Sequence, residues 1–180
     1  MKWLIASDIH GSKKYFTRLY EQIEKEKADD IFLLGDLLYH GPRNALPDEY
    51  DTMGVAAMLN SLKEKITCVR GNCDAEVDQM VLEFPITADY AEREYDGHRF
   101  IFTHGHLFDS GKLPTFSAGD VVVFGHIHVQ VAENRGGVLY INPGSVSIPK
   151  NNSKHGYILF ENGVFYFKDL DGKVFDEYKI

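Results

Sequence analysis

What this chain has little of narrows its class before any motif is read. It carries two cysteines, Cys68 and Cys73, in 180 residues. Two thiols five positions apart make no disulfide framework, which points to a reducing, cytoplasmic setting. No apolar run approaches the ~18 residues of a membrane span. The start, Met1–Ile5, reads as a strand running into Asp8 and His10, leaving no room for a signal peptide. Positive charge is short as well: 19 Lys and Arg stand against 27 Asp and Glu, a formal charge of −8. A surface of that sign argues against coating long nucleic acid or an anionic membrane by counterion release. Linkers, repeats and low-complexity stretches are missing too, so residues 1–180 are read as a single domain. A chain of this size can bury its own core without staples.

What is present is ordinary globular composition, 44% hydrophobic, with one unusual emphasis: eight histidines beside fifteen aspartates. The first half alternates strand and helix. Lys2–Ser7 is a short apolar run, and Phe16, Leu19, Tyr20 and Ile23 then form one helical face behind Ser12, a candidate N-cap. Ile31–Leu34 reads as a buried strand, Val55, Met58, Leu59 and Leu62 as a second helix, and Ile66–Arg70 as a third strand. Such alternation implies parallel pairing through crossovers. The second half reads as hairpins around Asp96-Gly97, Gly136-Gly137 and Asn162-Gly163, with Val121–Phe124 as a central strand. The expected fold is α/β: two stacked mixed sheets, a parallel half followed by antiparallel hairpins, with helices outside. The late hairpins offer edges for pairing between copies.

Five polar clusters sit where apolar runs stop. These are Asp8-Ile9-His10, Gly35-Asp36, Gly71-Asn72, His104 and Gly125-His126-Ile127-His128. Each alone has an ordinary alternative: Asp8 as a helix cap, Asn72 in a left-handed turn, a lone His as a surface residue. Five in a row at strand ends point instead to one site, because loops beyond the carboxyl ends of α/β strands converge. Residues i and i+2 leaving a strand share a face, so Asp8 with His10, and His126 with His128, are read as chelating pairs. The glycines are read as allowing tight turns and close backbone approach to an ion. Seven oxygen and nitrogen donors without a thiolate exceed what one zinc takes and suit two metals. Mixed imidazole and carboxylate ligands suit Mn²⁺, Fe or Zn²⁺ better than Ca²⁺ or Mg²⁺.

In order, these blocks resemble the signature of the calcineurin-like metallophosphoesterases. The stretches 40–47, 69–74, 84–88, 103–108 and 142–150 extend the resemblance to the small bacterial YfcE-type phosphodiesterases over essentially the whole chain. That resemblance implies a dinuclear site in a two-sheet α/β sandwich. Asp8, His10, Asp36 and His128 would hold one metal, and Asp36 would bridge to a second held by Asn72, His104 and His126. Mn²⁺ is the implied ion, with Fe, Zn²⁺ or Ni²⁺ as others. The implied reaction is hydrolysis of small phosphodiesters by a hydroxide held between the two ions. One position departs from the broader family: Cys73 stands where most members have histidine, the residue usually assigned to charge stabilisation or leaving-group protonation. Asp74 is read, with Ser7 or backbone, as holding the second nitrogen of an imidazole ligand. His40 and Arg43 are candidates for gripping substrate. His106 is read as a supporting residue, and His98 and His155 as turn neighbours. Two rivals stand beside this reading: a scaffold of the Vps29 type, and a phosphomonoesterase or nuclease of the same family.

Overall fold

A computed structural model describes residues 1–180. Its first half follows the expected alternation: β1 (Lys2–Ala6), α1 (Lys13–Glu26), β2 (Asp30–Leu33), α2 (Thr52–Asn60) and β3 (Ile66–Cys68). Ser12 caps α1, its hydroxyl accepting the Tyr15 amide, and Phe16, Leu19 and Ile23 turn inward. Lys27 ends the helix in a left-handed conformation. The carboxylate of Asp51 caps α2 through the Gly54 amide at 2.8 Å. β1, β2 and β3 pair in parallel.

The second half contains β4 (Tyr90–Tyr95), β5 (His98–Thr103), β6 (Val121–Val123), β7 (Gln130–Arg135) and β8 (Val138–Pro143). β9 (Gly156–Glu161), β10 (Val164–Asp169) and β11 (Val174–Lys179) complete it. The hairpins form at the expected places. Asp96-Gly97, Gly136-Gly137 and Asn162-Gly163 all take positive φ, as two-residue turns of this hand require. The hairpins pair antiparallel as expected, and β6, the central strand, runs parallel to both β5 and β8, which makes the second sheet mixed. Turn residues report local pairings only. Residues 104–120 between β5 and β6 carry no hairpin signal and are long enough for a crossover.

Two mixed sheets result, one ordered β11-β10-β9-β1-β2-β3 and the other β4-β5-β6-β8-β7. Strand alternation sorts the core into layers. Leu4, Ala6, Ile31 and Leu33 face α1 and α2. Trp3, Ile5, Phe32 and Leu34 face the other way, onto Phe100, Phe102, Val121 and Val123 of the second sheet. Both helices lie on the first sheet. The outer face of the second sheet is covered by the 104–120 crossover, with Phe116 packed over Ile101 and Val122.

Aromatic rings fill the space between the sheets. Phe32 stacks on Phe102 with centroids 3.9 Å apart and planes 7° from parallel. Trp3 meets Phe32 and Phe100 edge-on at 5.3 and 5.2 Å and stacks on Phe160 at 5.1 Å. Its indole nitrogen is buried without a partner. Trp3→Ala should therefore cost about 3–5 kcal/mol of stability. Trp3→Phe, which also removes the orphaned donor, should cost less than about 1.5 kcal/mol. Urea unfolding followed by circular dichroism separates the two; equal losses would mean the indole nitrogen carries no penalty.

Candidate metal centre

The carboxyl ends of β1, β2, β3, β5 and β6 open at one edge of the sandwich, and their loops meet there. Asp8 Oδ1 lies 3.5 Å from His10 Nε2 and 3.1 Å from His128 Nε2, and those two nitrogens are 3.3 Å apart. Beside this trio, Asp36 Oδ2 sits 3.5 Å from His104 Nε2, which is 3.0 Å from Asn72 Oδ1. Asp36 Oδ2 is also 3.7 Å from His10 Nε2, so one carboxylate faces both groups. The ring of His126 lies 5.0 Å from that of His104. His126 and His128 thus diverge, one toward each group, and do not form the chelating pair read from their spacing.

The local backbone differs from the expected one in an informative way. β1 ends at Ala6 and β6 at Val123, before the polar residues begin. Asp8, His10, Asp36, His126 and His128 all adopt left-handed φ, between +50° and +68°. Side chains are gathered by kinks in the loops, not by strand pleat. Such a conformation costs a non-glycine residue roughly 1–2 kcal/mol, so surrounding contacts must hold it. The glycines serve the packing of loops against one another. A Cβ on Gly71 would lie 2.1 Å from Asp36 Oδ1, and one on Gly125 would lie 1.9 Å from Ser7 Oγ. Asn72 is not left-handed, and the cap of α1 is Ser12, so both ordinary alternatives for Asn72 and Asp8 fall away.

Each of three imidazoles is tied by its far nitrogen to a backbone carbonyl. Nδ1 of His10 donates to Tyr39 O at 2.7 Å, that of His104 to Leu34 O at 2.6 Å, and that of His128 to Ile148 O at 2.7 Å. A carbonyl can only accept, so Nδ1 carries the proton and Nε2 of the neutral ring points a lone pair inward. Asp8 is arranged alike. Its Oδ2 accepts from Ser7 Oγ at 2.6 Å and the His126 amide at 3.0 Å, while Oδ1 is buried with no donor. Convergent lone pairs around an orphaned carboxylate oxygen fit a cation. Asp8, His10 and His128 bring ligand atoms within 4.8 Å of one another, and so do Asp8, Asp36 and His104.

Without a cation the site binds protons instead. Burial works against a charged His104, but Asp36 and Asp8 outweigh it and raise its pKa to about 9. His10 moves up for the same reason. Burial alone would raise Asp8; contacts with His10 and His128 overcome it and hold the carboxyl well below its usual range.

Asp74 takes a role other than the one read from sequence. It touches no imidazole; its carboxylate accepts the amides of Asp36, Leu37 and Gly71 at 2.8, 2.9 and 2.7 Å, splicing two ligand loops together. Of the three holders read for an imidazole nitrogen, Asp74, Ser7 and backbone, it is backbone carbonyls that serve His10, His104 and His128. The same substitution of role appears in stretch 142–150, for which the sequence suggested no function. Ser145 Oγ donates to Asp8 O at 2.7 Å, Asn142 Nδ2 to Gly125 O at 2.7 Å, and Ile148 supplies the carbonyl that orients His128. The available signal was a run of small polar residues, Asn142, Ser145 and Ser147, at and just beyond the end of the apolar strand β8.

A cavity of about 860 Å³ opens over the centre, lined by His10, Asp36, Asn72, His126 and His128. Arg43 and Lys150 stand on its wall, and neither forms an ion pair. Lys150 had no assigned role in the sequence. His40 does not line this cavity; its ring packs against Tyr39 and Tyr50, at 4.8 and 5.3 Å. His106 lies behind the centre, 5.3 Å from His104, and burial with the nearby His104 and His126 lowers its pKa.

Comparison with known proteins decides the family. The family model described as the calcineurin-like phosphoesterase superfamily domain matches residues 1–163. The chain belongs to that superfamily. It is 48% identical to phosphodiesterase YfcE of Escherichia coli over 164 residues, 91% of this chain and 89% of the relative. Phosphodiesterase MJ0936 of Methanocaldococcus jannaschii is 28% identical over 80% of this chain and 83% of its own. The solved structure of the E. coli YfcE phosphoesterase matches with a TM-score of 0.94 at 45% identity, covering all of both chains. Vps29 of Cryptosporidium parvum shares the fold, with a TM-score of 0.65 at 18% identity over 99% of this chain and 98% of its own. The family is metal-dependent. The fold is that of the YfcE phosphoesterase, and no helix is long and apolar enough to cross a membrane.

A cation needs the Nε2 lone pair of His104, which a proton occupies near neutral pH in the metal-free protein. Stripped protein titrated with Mn²⁺ near pH 7.5 should release about one proton per chain, and affinity should rise with pH. The release should halve near pH 9, where His104 is half neutral, and vanish well above it. Calorimetry in buffers of different ionisation heat measures it; binding without proton release would remove His104 from the ligand set.

Proposed function

We propose that this chain is a metal-dependent phosphodiesterase that hydrolyses small phosphodiesters at a centre of two divalent ions. The carrying observation is the buried, donor-less Asp8 Oδ1 facing imidazole nitrogens whose protons are committed elsewhere. Asp8, His10, Asp36 and His128 would hold one ion; Asp36, Asn72, His104 and His126 would hold the other. Mn²⁺ is the first choice, with Fe, Zn²⁺ and Ni²⁺ as others. When bound, such ions supply Lewis acidity toward phosphate oxygens and an activated water. Identity of 48% to a protein named a phosphodiesterase supports the reaction class. Two unpaired cysteines agree with a cytoplasmic setting.

The remaining chemistry falls to the chain's own groups. Arg43 and Lys150 are placed to attract an anionic ester and fix its orientation, the guanidinium by its planar fork. Asn72 presents its amide at the same wall. His40 would act only through Tyr39 and the loop it supports. Asp74 keeps Asp36 aimed by holding its amide. In the metal-free protein burial, then the nearby Asp36, pushes the Cys73 thiol up to about 12, so its thiolate is scarce there. A thiol is also a weak proton donor, which favours substrates whose leaving group needs no proton.

Protein stripped of metal and given Mn²⁺ should hydrolyse bis-p-nitrophenyl phosphate, and Asp36→Asn should lose about three orders of magnitude in rate together with one ion. Inertness with every divalent ion, alongside binding of a protein partner, would favour the Vps29-type scaffold instead. All seven donor positions are filled here, which supports the enzyme.

Cys73→His should raise activity on esters with poorer leaving groups by roughly tenfold or more. Steady-state rates across aryl and alkyl diesters test this; an unchanged profile would remove the assigned cost of the thiol.

A further inference from the structure

A second cavity, about 540 Å³, shares His126 with the metal centre and differs from it in character. Its wall is aromatic. Phe108 meets Phe116, Phe124 and Tyr140 edge-on, at 6.2, 5.4 and 6.3 Å, and Phe124 meets Tyr140 at 6.3 Å. Ile127, the residue between the two site histidines, lines the same space and is exposed. Arg135 lies over the Tyr140 face, 5.4 Å from its centroid, and Asp109 joins it on the lining.

The cavity is built onto the metal-centre loop. Gly105, between His104 and His106, has φ +106°, and a Cβ there would lie 3.1 Å from Phe124 and 3.4 Å from Phe108. Backbone of the ligand loop and the aromatic wall are therefore in contact, with His126 facing both spaces. The larger cavity, by contrast, is walled by carboxylate, amide and cationic groups. A diester has two arms on one phosphorus, and here two spaces of unlike chemistry meet at one histidine.

We infer that the aromatic cavity receives a flat aryl or nucleobase-class arm of the substrate while its phosphate sits at the metal centre. Edge-to-face rings accept another ring at favourable geometry, and Arg135 can cover an inserted face. Arg135 and Asp109 add a donor and an acceptor, which suits a heteroaromatic ring carrying both. This inference rests on the phosphodiesterase reading and deepens it, naming the substrate class of the same site. Contact with the ligand loop is what favours a substrate arm over a second copy of the chain as the occupant.

Non-hydrolysable phosphonate probes separate the parts. Mn²⁺-loaded protein should bind phenylphosphonate about tenfold more tightly than methylphosphonate by calorimetry. In Phe108→Ala and Ile127→Ala, both exposed positions, the preference should fall to within about twofold while methylphosphonate affinity holds. Equal binding of both probes by the unaltered protein overturns the aromatic arm and leaves the metal site standing. Equal loss of both probes in the variants also overturns it, since that would be a structural effect. If neither probe binds, the phosphoester reading falls and this inference with it. Sedimentation of the same variants reads the rival occupant: a preference retained while an oligomer dissociates would make the cavity an interface between copies.

Discussion

The stack of Phe32 on Phe102 is the contact on which the centre depends. These rings lie on β2 and β5, one in each sheet, and each is two residues before a residue of the site: Leu34, whose carbonyl orients His104, and His104 itself. Sliding one sheet over the other by a single residue, about 3.3 Å, would unstack these rings and carry the two strand ends out of line. The 2.6 Å bond from His104 to Leu34 O could not then form. Dry aromatic packing between sheets thereby sets the aim of an imidazole at their rim.

That dependence explains how much was legible in sequence. The helix faces of α1 and the turn pairs such as Asn162-Gly163 are local signals, and both appeared where read. The seven candidate donors stood out because their clusters follow apolar runs, a pattern needing no knowledge of pairing, and the fold brings them to one edge of the sandwich. The direction of β6 was legible only through its donors. Short strands pair through long-range contacts, and residues 104–120 carry no periodic pattern to show a crossover. Had β6 run antiparallel to β5, His126 would emerge at the opposite end of the sheet from His104. Five clusters meeting at one site require parallel ends for all five strands, a constraint that turn residues do not supply.

Roles were harder to read than positions. Asp74 looked like a partner for an imidazole because carboxylates commonly are. In the fold it is the only group placed to satisfy three amides at the junction of two loops, and carbonyls at Tyr39, Leu34 and Ile148 take the imidazoles. Backbone groups leave no trace in residue identity, so which carbonyl serves which imidazole is invisible until the chain is folded. The net charge of −8 misleads for a similar reason, being an average over the whole surface. Arg43 and Lys150 stand without ion pairs at the one cavity where an anion would be read.

Five of the donor residues hold left-handed backbone that glycine would adopt without strain. Glycine at Asp8, His10, Asp36, His126 or His128 would relax the chain and delete one of the proposed ligand atoms in the same step. Conformational ease and chemistry therefore oppose each other residue by residue along this rim. The fold carries its least comfortable backbone where its most specific side chains stand, and the dry core beneath must be stable enough to hold it there.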